Sequence, residues 1–205
     1  MKLYETSTAP NPRRVRMFLA EKGLLNQVET VQVDLQKGEN LTPEFAAMNP
    51  LKKVPVLVLD DGSSIAETMA ICRYFEELYP DDTPLLGRSP REKAHVEQWL
   101  RWIEYYLFVP TGMCFQHSTG YFKDRMTPIK EWGEECGRNV ATFFRFLDTH
   151  LKNNEYICGD QFTAADINVF VSIQFNRVND IRIQDDQLAL QAWYERMKQR
   201  ASTKV

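Results

Sequence analysis

No stretch of the 205-residue chain reaches the roughly eighteen consecutive apolar residues that a membrane-spanning helix needs, so spanning is not expected. The opening Met1-Lys2-Leu3-Tyr4-Glu5 enters a strand-like pattern without the apolar core of a signal peptide, which argues against secretion. Cysteine is sparse: Cys72, Cys114, Cys136 and Cys158 stand apart, with no CxxC spacing. Neither a metal site nor a disulfide framework is expected from that scatter, which fits a reducing cytoplasm. An excess of one charge is missing too. The 25 Lys and Arg against 28 Asp and Glu are interspersed, and a net charge of −3 offers no basic stripe for nucleic acid. No internal repeat is visible. What is present, 43% hydrophobic residues, suffices to bury the core of one large domain or two small ones.

Residues 1–80 alternate strand and helix. Lys2-Leu3-Tyr4-Glu5 reads as a strand, and Pro12 suits the first turn of a helix running to about Lys22, with Gly23 as its stop. On that helix Arg13, Arg14 and Arg16 read as a solvated face beside Val15, Phe18 and Leu19. Residues 28–35 have the β-branched content of a second strand, and Thr42-Pro43 caps and opens a short helix to about Met48. Residues 56–59 and 63–65 pair as a hairpin about Asp60-Asp61-Gly62, and a helix from Glu67 to about Leu78 closes the unit. The order βαβαββα resembles a thioredoxin-like domain. Residues 81–88 form a linker rich in proline and turn residues.

Residues 89–205 carry almost no strand signal and are expected to form an all-α helical bundle, which makes the chain an α+β protein of two domains. Ser89-Pro90-Arg91-Glu92 is a capping box at the head of a long helix whose buried stripe includes Val96, Trp99, Leu100 and Ile103. Pro110 must break or kink that helix. A second long helix is predicted over 128–151, and Thr163-Ala164-Ala165-Asp166 caps a core helix expected from Ile167 to about Phe175. Removing the Asp166 carboxylate is expected to cost about 0.5–2 kcal/mol as a lost cap.

The most informative stretch is Lys52-Lys53-Val54-Pro55-Val56-Leu57, followed after the hairpin by Glu67-Thr68 at a helix start. A Val-Pro bond between loop and strand invites the cis isomer, which turns the main-chain groups of Val54 away from a sheet ladder. A helix N-terminus just beyond presents unpaired N–H donors to a carboxylate. Together these describe a socket for a small acidic peptide.

In these residues, and in Gly159-Asp160-Gln161-Phe162-Thr163-Ala164-Ala165-Asp166, the chain resembles the cytosolic glutathione transferase family over essentially its whole length. Lys37-Gly38-Glu39, Glu131-Trp132-Gly133 and residues 192–197 look closest to a fungal and bacterial subgroup lacking the usual catalytic Tyr, Ser or Cys. The resemblance implies that Val54, next to Pro55, pairs with the cysteinyl backbone of glutathione. It further implies that Glu67 and Thr68 hold the γ-glutamyl end, and that Lys53 and Asn40 lie near the glycyl carboxylate. The thiol would sit at the start of the first helix, where positive partial charge favours a thiolate. Matching the Arg-Val-Arg of zeta-like members to Arg14-Val15-Arg16 puts their serine positions on Ala9 and Pro10, which carry no donor. Thr8 and Asn11 stand nearby as candidate donors to sulfur, and they also read as a turn-forming pair before the helix, with Asn11 as the cap before Pro12. In the subgroup a serine and a histidine hold a water. Alignment on Pro110 puts Gly112 at that serine, and His117 is the histidine placed to act as base.

The implied activity is conjugation of glutathione, as co-substrate, to a small hydrophobic electrophile, or reduction of an organic peroxide. Tyr105, Tyr106, Phe108, Met113, Phe115, Tyr121 and Phe122 are candidates to line the electrophile pocket. A glutathione-binding protein without the chemistry, and a glutathione-dependent isomerase or dehalogenase, stay open as alternatives on the same scaffold. A homodimer is implied, joined between the first domain of one chain and the helices of the other.

Overall fold

A computed structural model describes residues 1–80 and 83–205, and the chain divides into two compact units, Met1–Pro84 with Ala201–Val205, and Leu85–Arg200. Asp81 and Asp82, part of the expected linker, lie outside the described residues.

In the first unit β1 (Lys2–Glu5), β2 (Glu29–Gln32), β3 (Val56–Val58) and β4 (Ser64–Ala66) form one sheet in the order β2-β1-β3-β4. β1 and β2 run parallel, a pairing that needs a crossover, and α1 (Pro10–Glu21) supplies it. β3 is antiparallel to both β1 and β4. α2 (Pro43–Met48) starts where the sequence predicts, because the Thr42 hydroxyl accepts from Phe45 N at 3.2 Å. Phe45 then buries itself with Val33, Val54 and Val56. α3 (Thr68–Leu78) packs on α1 through Ile71, Cys72 and Phe75, the i, i+1, i+4 face of the helix. This mixed sheet with its helices is the thioredoxin-like arrangement expected from the element order.

Several local expectations are corrected. α1 begins at Pro10 with Ala9 as its cap, so Asn11 is inside the first turn. Prolines at the first and third helical positions cost nothing there, since those N–H groups have no partner within the helix. Its arginines are no solvated face. Arg14 is 3% exposed, Arg16 pairs with the buried Glu5, and Arg13 Nη2 donates to Thr203 O at 2.9 Å. The last contact belongs to a second departure: residues 201–205 pack with the first unit rather than with the helices, and Ser202 Oγ donates to the Glu21 carboxylate.

The second unit is helical: α4 (Pro90–Ile103), α5 (Val109–Thr119), α6 (Lys130–Leu151), α7 (Ala164–Phe175) and α8 (Leu188–Lys198). The Ser89/Glu92 capping box forms as predicted. Gly87, at φ 84°, must be glycine, because a Cβ would stand 2.6 Å from the backbone of Glu92 and Lys93 at the start of α4. The proline break takes the form of a π turn, Glu104–Phe108, closed by Val109 N donating to Glu104 O. Pro110 has no N–H for the carbonyl four residues back and its ring crowds that carbonyl; the wider turn relieves both before the helix resumes as α5. α7 is buried on every side from Ala164 to Ile173 and is the centre of this unit. Its cap does more than expected: besides Thr163 N at 3.0 Å, Asp166 accepts from Ile157 N at 2.9 Å and from Trp193 Nε1 at 3.0 Å.

Candidate functional site

Strand register brings three loops of the first unit to one end of its sheet. Tyr4 pairs with Val56, so the end of β1 lies beside the start of β3; Val56 pairs with Ala66, so the end of β4 lies there too. The residues just outside these pairs are the loop 6–9 with the start of α1, Val54-Pro55, and Glu67-Thr68. These are the segments on which the resemblance would place the thiol, the cysteinyl backbone and the γ-glutamyl end.

The Val54-Pro55 bond is cis, as its position suggests. Two buried asparagines set the approach to it. Asn49 Nδ2 donates to Lys53 O at 2.9 Å while its Oδ1 accepts from Leu51 N at 3.0 Å, and Asn40 Nδ2 donates to Lys52 O at 2.7 Å. Lys52 is thereby kept at φ 56°, a conformation L-residues rarely adopt. Asn49 was not singled out from sequence, although Asn-Pro is a turn signal whose side chain bonds two residues on. Asn40 is 8% exposed, and its Oδ1 is buried without a hydrogen-bond partner among the described residues. Lys53 extends into solvent.

Glu67, exposed, has φ 76° and ψ 125° at the head of α3. A non-glycine residue in that region costs about 1–3 kcal/mol, and such residues cluster at ligand sites. Thr68 is buried, and its Oγ1 donates to Asn11 O at 3.4 Å, a long bond that ties the start of α3 to the first turn of α1. Asn11 Oδ1 accepts from Arg14 Nη2. Thr8 is exposed on the loop before α1, where Thr6 O accepts from Ala9 N at 3.0 Å. Beneath these residues, burial pushes the Cys72 thiol up to about 12 against the opposing charge of Arg14, with Glu76 adding to the rise. Cys72 is therefore a packed thiol without nucleophilic character.

His117 belongs to the helical unit, on α5. Its Nδ1 accepts from Ile129 N at 2.9 Å, which satisfies the amide of the residue capping α6. The neutral ring then carries its proton on Nε2. The aromatic residues that sequence grouped as one pocket separate into two. Phe108 and Phe115 pack on Phe175, and Phe115 also meets Tyr121 and Phe122 at 5.2 and 6.2 Å. Tyr105, Tyr106 and Met113 instead line an open groove of about 450 Å³ with Trp132, Phe143 and Phe146. Among the described residues no group of His, Cys, Asp or Glu is arranged to hold a metal ion.

A thioredoxin-like unit with this loop end, followed by a helical unit, defines a two-domain class of proteins, and the comparisons with known proteins narrow it. The profile of the glutathione S-transferase N-terminal domain matches residues 8–78 and that of the C-terminal domain matches residues 113–201. Glutathione S-transferase 2 of Saccharomyces cerevisiae is 39% identical over 207 residues, covering 100% of this chain and 88% of the relative. Glutathione S-transferase F10 of Arabidopsis thaliana is 34% identical, over 94% of this chain and 89% of its own length. Among solved structures, Gtt2 from Saccharomyces cerevisiae superposes with a TM-score of 0.94 at 38% identity, covering 100% of this chain and 99% of that one. A class Gtt2 glutathione S-transferase of Vibrio parahaemolyticus gives 0.86 at 36%, with 98% and 95% covered. The chain belongs to the glutathione S-transferase family.

Proposed function

We propose that the chain binds glutathione at the loop end of its sheet, ionises the thiol at the start of α1 and transfers the sulfur to a small hydrophobic electrophile. The convergence of Val54, Glu67-Thr68 and the first turn of α1 through strand register is what carries this reading. Val54 offers main-chain groups to the cysteinyl residue. Glu67 meets the ammonium of the γ-glutamyl end, and the N–H groups at the head of α3, with Thr68, meet its carboxylate. Lys53 attracts the glycyl carboxylate, near Asn40. Thr8 and Asn11 are the side chains assigned to the sulfur, with the partial positive charge of α1 behind them. His117 serves as base only when the bond from Ile129 N opens, since its Nδ1 is otherwise occupied.

The test is calorimetric titration with glutathione, an ultraviolet reading of thiolate near neutral pH, and turnover with a chloronitrobenzene, in which sulfur bonds to the ring carbon and chloride leaves. Absence of binding overturns the site. A second reading, a glutathione-binding protein without transferase chemistry, is favoured by Ala9, which caps α1 with no side-chain donor; binding without thiolate or turnover would establish it. Reduction of an organic peroxide, isomerisation and dehalogenation use the same thiolate, and the electrophile screen separates them. We place the protein in the cytoplasm, in detoxification, as a homodimer. For the dimer the support is the apolar groove of the helical unit, with Tyr105, Tyr106 and Phe146 at its exposed rim.

A further inference from the structure

We infer that Arg14 is a positioning residue for the thiol end of the site, acting through Asn11; this rests on the glutathione reading above. The first turn of α1 is poor in donors. Pro10 and Pro12 have no N–H, and Arg13 N bonds back to Ala9 O at 3.4 Å, so the turn presents the main-chain N–H of Asn11. The Asn11 side chain offers two more N–H groups, but only if its amide faces the right way, and an amide is free to turn either end to a neighbour. Arg14 removes that freedom. A guanidinium has donors and no acceptor, so the end of Asn11 that meets it must be the oxygen, as found, and the NH2 end is directed away from Arg14.

Three observations make Arg14 suited to this task rather than to binding a ligand itself. It is 3% exposed, although an arginine on a helix surface would ordinarily extend into water. Its charge acts on Cys72 of α3, as does the Glu76 carboxylate of the same helix, which Lys22 meets at 3.1 Å, so Arg14 faces the packed interior of the first unit. The main chain of Asn11 is fixed separately, by Thr68 Oγ1 on its carbonyl. Side-chain amide and main-chain N–H of one residue are thus both set, and donation from a buried cation to Oδ1 polarises the amide so that Nδ2–H becomes a stronger donor.

The experiment measures the pH midpoint of thiolate formation in bound glutathione, by ultraviolet absorbance, beside calorimetric affinity and thermal unfolding. Asn11→Ala should raise the midpoint by about one unit, a roughly tenfold loss of thiolate near neutrality, as expected for a hydrogen bond to a charged acceptor. Asn11→Asp keeps a partner for Arg14 but has no donor, and should raise it at least as far in a protein that unfolds at the wild-type temperature. Arg14→Met should reproduce the Asn11→Ala shift, and the double variant should add nothing to either. Shifts that add, or an Arg14→Met midpoint equal to wild type, overturn the inference while leaving glutathione binding intact. If Arg14→Met does not fold, Arg14→Lys replaces it. An ammonium still donates to Oδ1, so the ionisation constant should stay within about threefold of wild type, and a Lys variant that ionises like Asn11→Ala overturns the inference. A wild-type protein that binds no glutathione refutes the reading of the site and this inference with it.

Discussion

Glu67 combines an unfavourable backbone with an exposed carboxylate, and the two can be separated by substitution. At φ 76° and ψ 125° glycine is at ease, so Glu67→Gly relieves about 1–3 kcal/mol of strain and returns part of it as chain entropy, for a net stabilisation of about 1 kcal/mol. Glu67→Ala retains the strain. Both should lose at least tenfold in glutathione affinity, as expected when a charged hydrogen-bond partner is removed. A Glu67→Gly protein that melts higher and still binds like wild type would show that the carboxylate does not hold the ligand. Asp166 carries the opposite balance: it is wholly buried, and desolvation lifts its carboxyl to about 6 in spite of the donors around it. Replacing it with Ala leaves Ile157 N, Thr163 N and Trp193 Nε1 without their acceptor, so the cost should be about 3–5 kcal/mol rather than that of a cap alone. Because its folded value is raised above 3.8, its contribution to stability is complete below that pH and is lost as pH rises through about 6. Thermal unfolding should therefore show the margin of wild type over Asp166→Asn larger at pH 5 than at pH 7.5, by on the order of 1 kcal/mol. A margin independent of pH would rule out this titration.

Helix pairs in the second unit depend on two glycines of opposite character. A Cβ on Gly133 of α6 would collide with Ser118 Oγ and stand 2.9 Å from Ser118 N on α5, so Gly133→Ala must push the two helices apart and cost about 1–3 kcal/mol. Gly112 on α5 has open space, and Gly112→Ala should stabilise by about 0.5–1 kcal/mol in denaturant titrations. Equal effects from both would mean that α5 and α6 do not meet closely at Gly133. Elements whose ends are decided locally were legible in the sequence: the Thr42, Ser89 and Thr163 caps bond within three residues of themselves, and the helices after Thr42 and Ser89 start where predicted, while α7 starts at Ala164, three residues before the expected Ile167, because the capped turn is itself helical. The start of α1 was not, because Pro10 and Pro12 satisfy the same positional preference and only Ala9 O accepting from Arg13 N decides between them. The π turn shows the same boundary: Pro110 announces a disruption, but whether it becomes a kink, a break or a wider turn depends on packing of the whole helix. The candidate site divides likewise. Val54, Glu67 and Thr68 were readable from turn chemistry and order, whereas burial of Arg14 was not, since a charged residue reads as exposed until the partner that compensates it is known.

For the whole molecule, the apolar surface of the helical unit sets the strongest expectation. Tyr105 and Tyr106 are 62% and 60% exposed, and Trp132 and Phe146 nearly half, around one groove of about 450 Å³. Monomeric proteins seldom leave so many large apolar side chains contiguous in water. On the first unit Leu51 stands 67% exposed beside the Lys52–Val54 loop, with Leu41 also exposed. If a second copy covers the groove with its first unit, the arrangement the family resemblance implies, Leu51 and Leu41 supply the apolar counterpart, and the loop leading to Val54 lies at the interface. Sedimentation at micromolar concentration should give twice the chain mass. Phe146→Glu and Leu51→Glu place a charge where it must be desolvated on association, and each should weaken the dimer by at least tenfold while leaving the fold of the separate chain intact. Because Leu51 is tied to the site through Asn49, dissociation should also lower glutathione affinity in Leu51→Glu more than in Phe146→Glu, which calorimetry on the two variants measures. A wild-type chain sedimenting as a monomer would remove both expectations and leave the groove without the occupant proposed for it.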